Sequence, residues 1–312
     1  MNALAVVNPR SAAGRTGRDW PQINTALREI FPQVQSVTTR ARGDATALVR
    51  AALHEGVHNI VAIGGDGTIN EALNGFFEQG EPIAPDAVLS FVTSGTGGDF
   101  RKSFDIAAGP AAAIAHLKHA KPRRIDIGRV TCVSAGGGTS VRHFINIASA
   151  GVSGDIVAAV NESVLLRRFG GRVAFALHSA RALLTYRGRK VRLRIDRSID
   201  EITTLSTLVL ANGQFFGGGM HVAPHAKLDD GLFDVLVIEA VPGGRALSDM
   251  RQIYSGTHLA NPAVRTTRAT KVLAAPVAET RGRPVRIEVD GEVAGQLPAT
   301  FEILPQALRV RC

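Results

Sequence analysis

Short apolar runs and helical apolar spacing alternate along the first part of the chain. The runs that have the length and β-branched content of buried strands are 4–7, 34–38, 59–63 and 87–92. Apolar residues recur at helical spacing over 20–31, 45–55 and 110–120. Because strands alternate with helices, the pattern predicts a parallel, doubly wound α/β sheet.

A different pattern begins near Gly128. Further strand-like runs follow without regular helices between them, at 130–133, 144–147, 191–195, 205–210, 232–238 and 285–294. They predict a mainly antiparallel β-sandwich, which one helical region at 154–184 interrupts. We therefore expect a first domain at 1–127 and a second at 128–297, with a C-terminal segment, 298–312, that returns to the first domain.

A glycine-rich turn links the third strand to a helix whose apolar residues are Ile69, Ala72, Leu73 and Phe76. The turn reads Gly64-Gly65-Asp66-Gly67, and its glycines allow a sharp bend and a close approach of ligand to backbone. The N-terminus of a helix favours an anion, typically phosphate. The alternative is a tight turn in which Asp66 caps the helix.

The turn differs from both common nucleotide motifs. A P-loop needs Lys and Ser/Thr where Thr68-Ile69 stand, and the dinucleotide motif needs a glycine in place of Asn70. Two more polar loops follow predicted strands, at 8–15 and 93–100, where ligands gather in open α/β sheets. An ordinary βα connection is the alternative for the first of these loops.

Two motifs stand out in the second half. The segment 223–234 places acidic residues and a Gly/Pro-rich backbone together, which can hold a hard cation or simply form a turn. In the run 285–294, Asp290-Gly291 has the composition of a tight hairpin turn.

Composition narrows the partners. The formal net charge is +9, from 36 basic and 27 acidic residues, which attracts polyanions. Aromatic residues are sparse and no nucleic-acid motif is present, so no nucleic-acid partner is expected. Ten Lys or Arg and one acidic residue lie between Arg167 and Arg197, which indicates either contact with an anionic membrane or a solvated face.

The expected location is the cytoplasm, with peripheral membrane association. The chain has no 18-residue apolar run and no secretory pattern at its start, and Cys132 and Cys312 are too few for a disulfide framework.

The motifs together resemble one family. The string from Gly64 to Glu71 resembles the signature of the diacylglycerol-kinase-like lipid kinases, which include sphingosine and ceramide kinases, and NAD kinases share a shorter form. The opening Asn-Pro-x-Ser, the loop at 95–100, the segment 210–234, the Asp-Gly-Glu at 290–292 and the closing segment also match, so the resemblance covers essentially the whole chain. Gly98 departs from it, because the family has Asn there.

The resemblance implies an NAD-kinase-like α/β domain, a β-sandwich domain and a set of site residues. Glu292 would be the general base, and Asp66 would assist a phosphate-bound Mg²⁺ or position the acceptor. A structural Mg²⁺ would bind Asp230 and the carbonyls of Lys227 and Leu232. The residues expected at ATP are Asn8, Ser11, Thr39, Gly64, Gly65, Asp66, Gly67, Thr68, Asn70, Glu71, Gly95 and Thr96.

The expected function is that of an ATP-dependent lipid kinase that converts diacylglycerol to phosphatidic acid. Sphingoid bases, ceramide and phosphatidylglycerol stay open as acceptors. One alternative is an NAD kinase, which shares the glycine turn and carries a later Asn-Glu pair such as Asn161-Glu162. The other is a catalytically weak lipid- or nucleotide-binding regulator, which Gly98 favours. The oligomeric state is open, with a dimer as one option.

Overall fold

The structure is a computed structural model that describes residues 2–94, 98–162, 171–277 and 284–312. The chain forms two compact units. The first comprises Met1–Ile127 and Pro305–Cys312, and the second comprises Gly128–Leu304. The divisions fall within two strands, β7 (Arg123–Val133) and β18 (Glu292–Arg311).

The first unit alternates strands and helices, as the sequence predicts. Its elements before β7 are β1 (Asn2–Val7), α1 (Arg15–Ile30), β2 (Gln33–Thr38), α2 (Asp44–His54), β3 (Asn59–Gly64), α3 (Asp66–Gly75), β4 (Phe77–Glu78), β5 (Glu81–Pro82), β6 (Val88–Thr93) and α4 (Pro110–His119). The sheet order is β2, β1, β3, β6 and the end of β18, with all neighbours parallel.

The register of this sheet brings its strand ends together. Val7 lies opposite Thr38 on one side and Ile63 on the other, and Gly64 lies opposite Thr93. Strands β3 and β6 are almost fully buried, as expected for a parallel sheet covered on both faces. The loops that follow these four strands therefore start from one edge of the sheet.

The second unit is mainly antiparallel. Its elements after β7 are β8 (Thr139–Phe144), β9 (Ile147–Gly151), α5 (Val152–Glu162), α6 (Gly171–Thr185), β10 (Arg189–Ile195), β11 (Ile199–Ala211), β12 (Phe215–Phe216), β13 (Met220–His221), β14 (Phe233–Glu239), α7 (Gly243–Ser255), β15 (Val264–Ala269), β16 (Lys271–Pro276) and β17 (Arg286–Val289). The path β15-β14-β11-β10-β16-β18 carries the main ladder, and β9 joins β11 to β17. In the core of the second unit, the rings of Phe144 and Phe233 stack with their centroids 5.5 Å apart.

This architecture is the predicted fold class, but one local prediction is wrong. Residues 144–147, predicted as a strand, cross the turn between β8 and β9. Their apolar side chains are buried, and this burial gives the turn the composition of a strand. The helical region 154–184 contains α5 and α6, and residues 163–170 between them lie outside the described residues.

Helix α3, which follows the glycine turn, packs closely on α2. A Cβ atom on Gly75 would lie 2.6 Å from the Val49 Cβ and 2.8 Å from the Thr46 carbonyl oxygen, so the backbones approach too closely for a side chain. The Thr46 hydroxyl donates to the Glu71 carbonyl at 2.8 Å. These contacts fix α3, and with it the turn.

Within the part of the chain that the structure describes, no helix is both long and apolar enough to cross a lipid bilayer.

Candidate active site

The glycine turn is bonded to the loop after β1. The Asn8 side-chain amide donates to the Thr68 hydroxyl at 3.1 Å, and the Asn8 N–H donates to the Ile63 carbonyl at 2.9 Å. The N–H of Thr39, after β2, donates to the Val7 carbonyl at 2.8 Å. Three predicted site residues, Asn8, Thr39 and Thr68, are thereby brought to one edge of the sheet.

Asp66 does not cap helix α3, so that alternative is wrong. Gly65 is the N-cap residue, and its carbonyl accepts from the Thr68 and Ile69 N–H groups at 2.9 and 3.1 Å. The Asp66 carboxylate instead accepts from the Asp99 N–H at 2.8 Å. Asp66 therefore joins the glycine turn to the loop after β6.

The two first glycines of the turn have different surroundings. A Cβ atom on Gly64 would lie 2.4 Å from the Thr68 hydroxyl oxygen, so this position packs against the helix. A Cβ atom on Gly65 would have nothing within 4 Å among the described residues. The backbone at Gly65 and at the start of α3 is thus the part of the turn that a phosphate could approach.

The end of β6 carries two buried hydroxyl groups, those of Thr93 and Ser94, that have no hydrogen-bond partner among the described residues. Buried hydroxyls usually have partners, and a ligand or water would complete their bonding. Gly95 and Thr96, the predicted site residues of this loop, lie outside the described residues. Asp99, which belongs to the family pattern of this loop, forms an ion pair with Lys102 at 2.7 Å beside Asp66. The sequence did not predict this pair.

Three other predicted site residues make structural contacts. The Ser11 hydroxyl donates to the Asn8 carbonyl at 2.8 Å and orders the first loop. The Asn74 amide donates to the backbone and side chain of Asn70, which is buried. Glu71 accepts from the Ala45 N–H at 3.3 Å. Their contacts to nucleotide stay a prediction.

In the second unit, Asp290 and Gly291 form the predicted hairpin turn between β17 and β18. The Asp290 carboxylate accepts three N–H groups of the β8–β9 turn, from Ile145 at 3.0 Å, Asn146 at 3.1 Å and Ile147 at 3.0 Å. Asp290 is therefore a structural residue. Glu292, two residues later, is partly exposed, as a general base must be to reach a substrate.

Glu288 lies on β17, two residues before Asp290, and the sequence did not indicate a role for it. It is 2% exposed, and it accepts from the Gly291 N–H at 2.8 Å and from the Ser149 hydroxyl at 2.5 Å. Burial raises the pKa of Glu288 from 4.5 to about 7; the two hydrogen bonds lower it, and the charges of Asp290 and Glu292 raise it. The alternation of apolar and polar residues along β17 did not indicate that the Glu288 side chain is buried.

The predicted metal loop offers hard oxygen ligands. Asp230 accepts from the Leu232 N–H at 3.2 Å, and its other carboxylate oxygen contacts Arg268. The nearby Asp234 carboxylate has a buried oxygen without a hydrogen bond, which lies 3.8 Å from the Arg268 Nε atom, and burial raises the pKa of Asp234. Arg268 therefore supplies positive charge to both carboxylates, and Mg²⁺ at this loop stays a prediction. Among the described residues, however, no three His, Cys, Asp or Glu side chains cluster as a metal site.

Family models match both parts of the chain. A diacylglycerol kinase catalytic domain matches residues 2–130, and a YegS C-terminal NAD kinase beta sandwich-like domain matches residues 146–312, more than half of the chain. The fold and these matches define a lipid kinase with the architecture of the NAD kinases. The chain belongs to the diacylglycerol-kinase-like family of bacterial lipid kinases, as its motifs predicted.

Relatives span almost all of the chain. A protein named diacylglycerol kinase from Staphylococcus saprophyticus is 26% identical over 99% of this chain and 94% of the relative. Another from Staphylococcus epidermidis is 27% identical over 99% of this chain and 91% of the relative.

Solved structures share the fold. A structure of a proposed diacylglycerol kinase from Bacillus anthracis has a TM-score of 0.77 at 20% identity, and the match covers 99% of this chain and 94% of that chain. An Archaeoglobus fulgidus NAD kinase solved with ATP has a TM-score of 0.52 at 14% identity, covering 100% and 92%. At these identities the structures show the fold alone.

The burial of Glu288 predicts a pH-dependent stability. Because its pKa is raised from 4.5 to about 7, the folded state binds this proton more tightly than the unfolded state, and stability falls as pH rises through that interval. We expect the wild type to lose up to about 3 kcal/mol more than Glu288→Gln between about pH 5 and about pH 8 in urea unfolding. Glu162→Gln, at an exposed position, should follow the wild type. Equal losses in the wild type and in Glu288→Gln would contradict the assignment.

Proposed function

We propose that this lipid kinase transfers the γ-phosphate of ATP to the hydroxyl of diacylglycerol, giving phosphatidic acid. The observation that carries the proposal is the hydrogen-bonded set of loops at one edge of the first sheet, in which Asn8 contacts Thr68 and Asp66 contacts the loop after β6. Several polar loops at one edge suit a triphosphate better than a single phosphate. The names of the relatives support diacylglycerol as acceptor.

The nucleotide would be held by the first domain, predicted as 1–127, and the lipid and structural metal by the second, predicted as 128–297. Of the closing segment 298–312, residues 305–312 belong to the first unit. In this proposal the phosphates lie against the start of α3, where Gly65 leaves space beside the backbone. The residues proposed to contact ATP are those predicted from the sequence: Asn8, Ser11, Thr39, Gly64, Gly65, Asp66, Gly67, Thr68, Asn70, Glu71, Gly95 and Thr96.

Glu292 would take the proton of the lipid hydroxyl as that oxygen attacks the γ-phosphorus. Phosphoryl transfer needs an acceptor aligned with the breaking bond, and a carboxylate can both orient the hydroxyl and accept its proton. Mg²⁺ bound to ATP would supply charge neutralisation for the phosphates. Asp66 would assist that ion or the acceptor, and its contact with the Asp99 N–H holds its carboxylate in one orientation.

We expect Glu292→Gln to lose about 10²- to 10⁴-fold in transfer rate while ATP binding is retained, because only proton removal is lost. The measurement is incubation with γ-labelled ATP, Mg²⁺ and diacylglycerol, ceramide, sphingoid base or phosphatidylglycerol in mixed micelles, with NAD as acceptor in a parallel reaction. The affinity for ATP is measured separately. Glu55→Gln is the control, since it removes an exposed carboxylate that neither the proposal nor its alternatives use.

The outcomes separate the alternatives. If the labelled phosphate is transferred to NAD, giving labelled NADP, and to none of the lipids, the result would favour the NAD kinase. ATP binding without transfer to any acceptor would favour the regulator. Near-normal turnover of Glu292→Gln would overturn the assignment of the base alone.

A structural Mg²⁺ at Lys227, Asp230 and Leu232 is the second part of the proposal. Asp230 would bind through its carboxylate and the other two through backbone carbonyls, and the cation would compete with Arg268 for Asp230. Asp230 and Asp234 both lie close to Arg268, and their negative charge supports a cation that takes the place of Arg268 at this loop.

We expect Mg²⁺ at about 100 times its Kd to stabilise the wild type by about 2.7 kcal/mol, and Asp230→Asn to lose this gain. Thermal melting with and without Mg²⁺, in the absence of ATP, provides the measurement. Asp229→Asn, which alters the adjacent exposed carboxylate, should keep the gain. If Mg²⁺ does not change the melting temperature of the wild type, the proposed Mg²⁺ site at Asp230 is excluded.

Peripheral contact with an anionic membrane is the third part. On α6, Leu177 and Leu184 are 55% and 56% exposed, and the exposed Arg181 lies between them on the same helical face. Apolar residues flanked by positive charge are typical of a helix that lies in the membrane interface. Part of the basic stretch is neutralised, because Arg192 and Arg194 pair with Asp200.

We expect the double variant Leu177→Ser/Leu184→Ser to bind vesicles of phosphatidylglycerol and phosphatidylcholine about tenfold more weakly, since two exposed leucines no longer insert. Vesicle sedimentation is the measurement. Val141→Ser, which removes a 46% exposed apolar residue from β8, serves as control. Unchanged binding of the double variant would rule out this face as the contact.

A further inference from the structure

We propose that Glu288 is a positioning residue for Glu292, and that its proton controls the turn that carries Glu292. The inference rests on the proposed function in which Glu292 is the general base. Glu288 would not touch the substrate. It would act through the backbone of Gly291 and through its charge.

Glu288 lies on a strand that is paired on both sides. Strand β17 lies between β9 and β18, with Glu288 opposite Ser149 on one side and Val293 on the other. Its carboxylate accepts the Gly291 N–H at 2.8 Å, and Gly291 immediately precedes Glu292. A charge-assisted hydrogen bond to a turn residue fixes the backbone more firmly than a neutral one.

A single hydrogen is shared between the partners of Ser149. The Ser149 hydroxyl lies 2.5 Å from the Glu288 carboxylate and 2.7 Å from the Ser153 hydroxyl, and its geometry is that of a donor in both contacts. Ser149 has one hydroxyl hydrogen, so it can donate to only one of them at a time. When Glu288 is ionised, Ser149 donates to the carboxylate. When Glu288 is protonated, Glu288 donates to Ser149, and Ser149 donates to Ser153.

The charges around Glu288 oppose its ionisation. Ser149 of β9 and Ser153 of α5 face Glu288 with neutral groups, while Asp290 and Glu292 face it with negative charges. On its own strand, Arg286 is paired with Asp155 of α5 at 3.2 Å. A buried carboxylate among like charges ionises with difficulty.

The consequence is a rate that follows the ionisation of Glu288. Above neutral pH its charge strengthens the bond to the Gly291 N–H. Below neutral pH this effect is lost. The Ser149 hydroxyl changes its acceptor with the ionisation of Glu288.

The test compares Glu288→Gln with the wild type. Glutamine keeps the shape and an acceptor for the Gly291 N–H, but it cannot ionise. With saturating lipid and Mg²⁺·ATP, we expect kcat of the wild type to rise through about pH 7, and kcat of Glu288→Gln to lack this inflection and to be about tenfold lower at about pH 8, with an unchanged KM for ATP. Glu55→Gln, at an exposed position, should keep the inflection, which separates Glu288 from the titration of ATP itself.

A second measurement follows the turn directly. Hydrogen exchange of the Gly291 amide should stay slow in Glu288→Gln and become at least tenfold faster in Glu288→Ala, which has no acceptor. If Glu288→Ala does not fold, the pH profile of Glu288→Gln decides. A wild-type pH profile and kcat in Glu288→Gln would overturn the inference. A wild type without lipid kinase activity would instead refute the proposed function, and equal Gly291 exchange in both variants would then still refute the positioning role.

Discussion

Buried polar groups must have partners, and this constraint organises both candidate sites. In the first unit, polar groups at the strand ends bond to one another, so Asn8 contacts Thr68 and Asp66 contacts the Asp99 backbone. In the second unit, Asp290 accepts the three N–H groups of a buried turn. Each bond that satisfies a buried group also holds a predicted functional segment in place.

The same constraint divides the roles within the Asp-Gly-Glu motif. Asp290 is fully engaged with the β8–β9 turn, and Asn146 of that turn accepts from the N–H groups of Asn212 and Gly213 at 2.9 Å each. The hairpin tip is thereby anchored to two other loops of the second unit. Glu292 stays partly exposed beside this rigid backbone, a favourable arrangement for a residue that must meet a substrate.

The departure at Gly98 is milder in three dimensions than in sequence. Gly98 has a φ of +86°, a left-handed conformation that glycine adopts readily and asparagine adopts more often than other side chains. A Cβ atom there would meet its nearest neighbour, an Arg101 carbon, at an ordinary 3.5 Å. Glycine and the family asparagine therefore suit the same backbone, and the next residue, Asp99, still reaches Asp66.

The sequence by itself determined the strand–turn–helix around Gly64, the order of elements in the first unit, the antiparallel second half and the hairpin at Asp290, because periodicity and turn chemistry are local. It did not reveal the buried turn at 144–147, the Asp66–Asp99 contact, the Asp99–Lys102 pair or the burial of Glu288. Strand β17 is covered by β9, β18 and α5, whose residues are distant in sequence. Only the tertiary structure decides such burial, since it depends on which segments pack together and not on the pattern within one segment.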